Sequence, residues 1–247
     1  MCGRFAITMP PVAMRNLFGF LERPQFPPRY NIAPSQPVPI VIFDGGRRRF
    51  LLVRWGLVPA WAKDMPQSLL INARAETIAE KPSFRGAFRH RRALMPADGF
   101  YEWQAVTGKG PKQPFLIRRR AQNGEPAPFA MAAIQDTWMP SGGSELDSCA
   151  IVTTEANATL KPVHTRMPVI LDEKDWARWL DPAATEKELL ALLAPAPDDL
   201  LEAIPIGTRI NRVANDDASL QAREIAGPEP EKPTPKAPAG PRQIDLF

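Results

Sequence analysis

Short runs of β-branched and aromatic residues recur through this chain, each cut off by a glycine- or proline-rich turn, and this spacing restricts the fold more than any other feature. The runs occupy residues 37–43, 49–55, 69–75, 93–104, 114–118, 129–134, 149–154 and 168–171, and residues 3–8 read as one more short strand. The first two flank Asp44-Gly45-Gly46, a hairpin signal. Helical signals are fewer. Residues 10–18 follow Thr8 as a cap, hold prolines in the first turn and end at Gly19. A short helical turn is expected over 76–80. Residues 82–89 carry Phe84 and Phe88 four apart, on one helix face. Residues 172–180 carry Trp176 and Trp179, and Thr185-Glu186-Lys187-Glu188 is a capping box before a leucine-rich turn. Many short strands with few helices predict an α+β fold of mainly antiparallel sheets, or an open barrel, with peripheral helices.

Composition sets the domain plan. The 247 residues suit one large domain with an appendage. Residues 20–37 are proline-rich and read as irregular. From 227 to 241 the chain holds six prolines and almost no large apolar residue, so it cannot bury enough surface to fold. The expected plan is a domain over 2–226 and an extended tail over 227–247. No run of about 18 apolar residues is present, which argues against a membrane-spanning helix, and no secretory signal is visible. Two cysteines, Cys2 and Cys149, form no disulfide framework, and no metal motif or cofactor motif occurs. The reading is a monomer in a reducing cytoplasm. Residues 1–120 carry 20 Lys/Arg against 7 Asp/Glu, and residues 121–247 carry 11 against 20, so a basic half (+13) and an acidic half (−9) give the net +4. Basic clusters at 47–49, 85–92 and 118–120 make the first half a candidate polyanion surface, with solvated arginine as the plain alternative.

Met1 precedes a small residue, Cys2, so an aminopeptidase can leave an N-terminal cysteine. Such a residue carries an α-amine (pKa about 7.7–8.0) beside a thiol (about 8.5). With an aldehyde, the amine forms an imine and the thiolate closes on it to a thiazolidine, an intramolecular step. The alternative is that Cys2 is a small apolar residue of an N-terminal strand. In the segment Asn72-Ala73-Arg74-Ala75-Glu76, a strand period of two sets Asn72 and Arg74 on one face. Glu102 lies between Tyr101 and Trp103, where desolvation would raise its pKa toward a range useful for proton transfer, although a salt-bridged glutamate is the commoner case. Of the two histidines, His90 sits among arginines, and His164 precedes an expected strand.

Seven segments then occur in order: Cys2-Gly3-Arg4, Asn31-Ile32-Ala33-Pro34-Ser35-Gln36, Trp55-Gly56-Leu57-Val58-Pro59, Asn72-Ala73-Arg74-Ala75-Glu76, Pro96-Ala97-Asp98-Gly99-Phe100-Tyr101-Glu102-Trp103, Thr153-Thr154-Glu155-Ala156-Asn157 and His164-Thr165-Arg166-Met167-Pro168. Together they resemble the SRAP family, the SOS-response-associated peptidase fold, over about residues 2–215; residues 207–215 match its C-terminal motif only loosely. The resemblance implies a DNA-repair protein of the SOS response that senses abasic sites in single-stranded DNA through a thiazolidine crosslink at Cys2, with AP lyase and crosslink-reversal activities and with Met1 removal as its peptidase reaction. It implies that Asn72 positions the Cys2 amine, that Glu102 is the general acid/base, and that His164 assists proton transfer. It implies that Arg4 and Arg74 hold phosphates, that Asn31, Pro34, Trp55 and Trp61 line a DNA groove, and that Thr153 and Arg166 fix the backbone. The location would be cytoplasmic, at the nucleoid. The tail ends in Gln243-Ile244-Asp245-Leu246-Phe247, which resembles the peptide by which bacterial repair proteins dock on the replicative sliding clamp. An N-terminal-nucleophile amidohydrolase and a non-catalytic DNA-binding adaptor stand as alternatives.

Overall fold

The computed structural model describes residues 2–105, 111–121 and 127–224. The expected boundary at 226 and 227 and the peptide Gln243–Phe247 lie outside the described residues. In chain order the elements are β1 (Phe5–Ile7), α1 (Pro11–Phe18), β2 (Arg29–Ile32), β3 (Pro37–Asp44), β4 (Arg47–Trp55), β5 (Asn72–Arg74), α2 (Pro82–His90), β6 (Arg92–Ala97), β7 (Gly99–Gln104), β8 (Gln113–Arg119), β9 (Phe129–Trp138), β10 (Leu146–Glu155), β11 (Arg166–Pro168), β12 (Ile170–Leu171), α3 (Trp176–Leu180), α4 (Glu186–Ala191) and β13 (Leu201–Pro205). Short 3-10 turns follow β5 and β13 and precede α3.

The fold is α+β with two sheets. One is fully antiparallel in the order β13-β8-β7-β1-β2. The other runs β11-β10-β4-β3-β6-β9-β12, with β5 parallel to β10. Strand β10 also pairs with β9, so this sheet curls, but its parallel contact with β4 is limited to Ser148–Arg54 and Cys149–Trp55 and closes no continuous barrel. The two sheets pack face to face. Phe5 meets Trp55 edge-on at 5.1 Å, and Phe100 meets Phe129 edge-on at 6.4 Å.

Local chemistry accounts for most elements. Gly45 and Gly46 both adopt left-handed backbone (φ 58° and 79°), as a two-residue turn between β3 and β4 requires. Gly19 ends α1 with φ 70° and donates its N–H to Arg15 O. Thr8 does not cap α1; Pro10 occupies the cap position with no side-chain bond. The Thr8 and Met9 N–H groups donate instead to Asp98 Oδ2, which ties α1 to the β6–β7 turn. Phe84 and Phe88 are buried as expected, and Thr185 forms its capping box with Glu188. Arg92 is buried and donates to the carbonyls of Phe88 and Arg89 at the end of α2 and of Trp179 and Asp181 at the end of α3, so one cation serves two helix C-termini.

Two strands, β2 and β13, arise where no strand is expected. Strand β2 forms inside the proline-rich stretch by pairing with β1, Ile32 opposite Phe5 and Arg29 opposite Ile7, and the N–H groups of Tyr30 and Asn31 donate to the carboxylate of Asp216. Residues 206–224 cross the outer face of the antiparallel sheet. Ile206, Ile210 and Leu220 pack there on Ala6, Tyr101, Leu116 and Ile204, a second small core.

Candidate active site

Four residues from four separate stretches converge where the two sheets meet. Strand β1 pairs with β7 in the register Phe5–Phe100 and Ala6–Gly99, and Arg4 O accepts the Tyr101 N–H at 2.9 Å. The same register continued brings Gly3 opposite Glu102, with Cys2 beside it. From the other sheet, Asn72 at the start of β5 donates its Nδ2–H to Cys2 O at 2.9 Å. His164 ends the turn that begins at Asn157, with its N–H on Leu160 O at 2.9 Å, and its Nε2 lies 3.9 Å from Glu102 Oε2. Its Nδ1 is bracketed by the Arg166 backbone, with N at 3.0 Å and O at 3.2 Å. When the Arg166 N–H donates to Nδ1, the neutral ring carries its proton on Nε2, toward Glu102.

Burial dominates the electrostatics. Glu102 is almost fully buried, and desolvation pushes its carboxyl up, with the His164 charge acting in the opposite sense. Burial also pushes the Cys2 thiol up, and the neighbouring Glu102 carboxylate adds to this. The thiol donates to Arg4 O at 3.8 Å. The resting arrangement is therefore a neutral thiol, a carboxyl that burial makes harder to ionise, and an imidazole within reach of it. It is suited to moving protons to and from a reacting group held at Cys2. Asn72 Oδ1 is buried and has no hydrogen-bond partner among the described residues, which leaves an acceptor beside Cys2. No group of side chains suited to a metal ion occurs among the described residues.

The residues expected to meet DNA separate into two sets. Arg74 is exposed and makes no ion pair among the described residues. Trp61 is 65% exposed, its Nε1–H held by Pro82 O at 3.2 Å, and it lines a shallow surface cavity with Arg85, Arg89 and His90. Pro34 is half-buried, next to Ser35 in left-handed backbone (φ 71°). The other set is turned inward. Trp55, expected on a groove wall, is fully buried against Phe5 with its Nε1–H on Ile71 O, so it offers no face to a base. Asn31, expected beside it, is also fully buried, and its Nδ2 donates to the carbonyls of Ile210, Arg212 and Asn215. Arg4 donates to Asn31 Oδ1 at 2.7 Å and Ile210 O at 2.9 Å, and is committed to the 206–224 segment. Thr153 is buried, and Arg166 binds both it and Glu76.

The basic clusters are likewise largely engaged. Arg48 donates to Phe18 O and lies 5.9 Å above the Trp176 ring, and Arg49 pairs with Asp44 and Glu22. Arg29 pairs with Asp216, Arg89 with Glu186, Arg91 with Asp136 and Arg118 with Glu202. Sequence reading assigned no role to Glu76, Asn157 or Asp216. Glu76 and Asn157 stand inside quoted motifs and could have been singled out; Asp216 lies outside them, and its partners, Arg29, Tyr30 and Asn31, are far along the chain.

Residues 1–213 match the profile of the family described as SOS response associated peptidase (SRAP). The chain belongs to the SRAP family. Among its curated relatives is "Abasic site processing protein YoqW" of Bacillus subtilis, 38% identical, with 89% of this chain and 98% of the relative aligned. "Abasic site processing protein HMCES" of Rattus norvegicus is 31% identical, with 87% of this chain and 74% of the relative aligned. Among solved structures, a protein from Bacteroides thetaiotaomicron superposes with a TM-score of 0.81 at 24% identity, covering 90% of this chain and all of that one, which shows that the two share a fold. In this SRAP chain, the first residue of the matched fold after Met1 is the buried Cys2 itself. No helix among the described residues is long and apolar enough to cross a membrane.

Proposed function

We propose that this SRAP protein processes abasic sites in single-stranded DNA by forming a thiazolidine crosslink at Cys2 once Met1 has been removed. One observation carries the reading: Cys2, Asn72, Glu102 and His164 meet at one point although 162 residues separate the first from the last. Loss of Met1 frees the Cys2 amine. The amine attacks the aldehyde carbon of the ring-opened sugar, and Glu102 protonates the departing hydroxyl, so water leaves and an imine forms. Glu102, now a carboxylate, takes the thiol proton as sulfur adds to the imine carbon. The imine forms protonated on nitrogen, so the thiol proton stays on Glu102 and restores its acid form, and the net product is a neutral thiazolidine plus one water. Asn72 holds the Cys2 backbone, so amine and thiol share one approach. His164 acts on the imine: removal of a sugar C2′ proton expels the 3′ phosphate and cuts the strand, and protonation of the thiazolidine reverses the adduct. Arg74 and Trp61 supply phosphate and stacking contacts that read no base identity. The names of the curated relatives support abasic-site processing as the task, and the work would lie in the cytoplasm at the nucleoid.

The test is incubation of the mature protein with a single-stranded oligonucleotide carrying one abasic site, followed by a denaturing gel and intact-mass measurement. A heat-stable adduct is expected from the wild type, and none from Cys2→Ala, which should still bind DNA. Salt-sensitive binding with no covalent product would favour the adaptor, and glutamine hydrolysis would favour the amidohydrolase. For Gln243–Phe247 we propose docking on the sliding clamp. Deletion of these five residues should abolish clamp capture in a pull-down and leave crosslinking to free oligonucleotides intact.

A further inference from the structure

We propose that Glu76 is a positioning residue that sets the orientation and tautomer of His164 through Arg166. The proposal rests on the role given to His164 above. The Glu76 carboxylate takes both terminal nitrogens of Arg166, at 2.5 and 3.0 Å. The same guanidinium donates to Thr153 O at 2.6 Å, and the Arg166 side chain is only 16% exposed. Arg166 thus sits between β10, to which its backbone pairs at Glu155, and the turn that follows β5. Its own peptide groups bracket His164 Nδ1 from both sides. A bracket with one donor and one acceptor selects a tautomer only if the peptide is held in place. The N–H contact puts the ring proton on Nε2, facing Glu102.

The other flank of His164 is secured independently. Asn157, which opens the turn, donates its side-chain amide to Ala196 O and Pro197 O, and the His164 N–H closes on Leu160 O. Glu76 is the one ionic tether on the C-terminal flank among the described residues. It stays ionised, since the Arg166 hydrogen bonds hold its carboxyl below the usual carboxylate range. Asn72 and Glu76 belong to one pentapeptide: the first grips Cys2, the second grips the residue that orients His164. Without the carboxylate, a mostly buried guanidinium keeps only Thr153 as partner, turns toward water, and loosens the bracket.

Two measurements test this. The chain has two histidines, so the imidazole nitrogen NMR spectrum of the DNA-free protein is simple to read, with His90→Gln assigning the signals. The wild type should show His164 protonated on Nε2, and Glu76→Gln should show mixed tautomers. In single-turnover assays of strand scission and crosslink reversal, Glu76→Gln should slow both about ten-fold, and more than it slows crosslink formation. Glu76→Asp should restore most of the rate. In a His164→Ala background Glu76→Gln should cost nothing further, because the two act as one unit. An unchanged tautomer in Glu76→Gln, or losses that add to those of His164→Ala, overturns the proposal. If Glu76→Gln fails to fold, Arg166→Lys carries the same pair of measurements. If the wild type forms no adduct, the proposed function fails while the spectrum still reports on Glu76.

Discussion

The two faces of the antiparallel sheet use alternate residues of the same strands for different ends. Phe5, Phe100 and Ile117 face the large core between the sheets, and Cys2 and Glu102 belong to that side. Ala6, Tyr101 and Leu116, each one position along, face the 206–224 segment, and Arg4 and Trp103 go with them. Trp103 donates to Asn211 Oδ1 at 2.8 Å, and Tyr101 donates its hydroxyl to Tyr30 O. The inner face buries the ionisable groups of Cys2 and Glu102, and the proposed chemistry lies there. The outer face satisfies its polar groups with carbonyl oxygens of the backbone and of side-chain amides, and it holds the sheet edge and the C-terminal segment together. Residues adjacent in sequence, such as Glu102 and Trp103, thereby face different cores.

Substitutions on each face should respect this division. The largest effect is expected for Glu102→Gln. Crosslink formation should fall about 10²–10⁴-fold, the range for a lost general acid/base, in a rapid-quench assay. The same variant should not be less stable than the wild type. Burial raises the folded Glu102 pKa above its unfolded value, so the folded state binds the proton more tightly. The stability this gives is full below the ordinary carboxylate range and is lost as pH rises through the raised folded value. Glu102→Gln removes that decline, and its stability relative to wild type should grow across this window. Asp98 is shifted in the same direction by burial but is present in both proteins, so the difference isolates Glu102. Loss of activity together with loss of stability would blur the two faces.

Asn31→Ala is the converse. It strips the donor from the carbonyls of Ile210, Arg212 and Asn215, and should cost about 2–3 kcal/mol in denaturant unfolding while crosslinking persists where the variant is folded. The smallest effect separates two arginines that sequence treats alike. Arg74→Ala should reduce the salt slope of DNA binding by about 0.7, one phosphate on a single strand. Arg4→Ala should leave that slope unchanged and lower stability instead, because its guanidinium is spent on Asn31 and Ile210. Equal slopes for both variants would return Arg4 to the DNA surface.

The charge asymmetry carries a related lesson. The basic first half and acidic second half suggest a polyanion surface, yet much of the excess is neutralised across the fold, by pairs such as Arg89–Glu186, Arg91–Asp136 and Arg118–Glu202. Arg74, and Arg85 beside the protruding Trp61, are among the cations that stay open to solvent and make no ion pair among the described residues.

From the residues alone came whatever near neighbours in the chain decide. The β3–β4 hairpin follows from two glycines that tolerate left-handed backbone, the buried face of α2 from Phe84 and Phe88, and the start of α4 from its capping box. The family membership was legible too, because seven recognisable short motifs occur in order, and Cys2, Asn72, Glu102 and His164 stand in four of them. Tertiary structure alone decided which side chains are available. Strand β2, the inward turn of Asn31, Trp55 and Arg4, and the Glu76–Arg166–His164 chain all depend on partners far along the sequence. A guanidinium or an indole looks the same in sequence whether it will face a phosphate or a carbonyl. Only the packing of distant backbone, with its own unmet hydrogen bonds, selects between them.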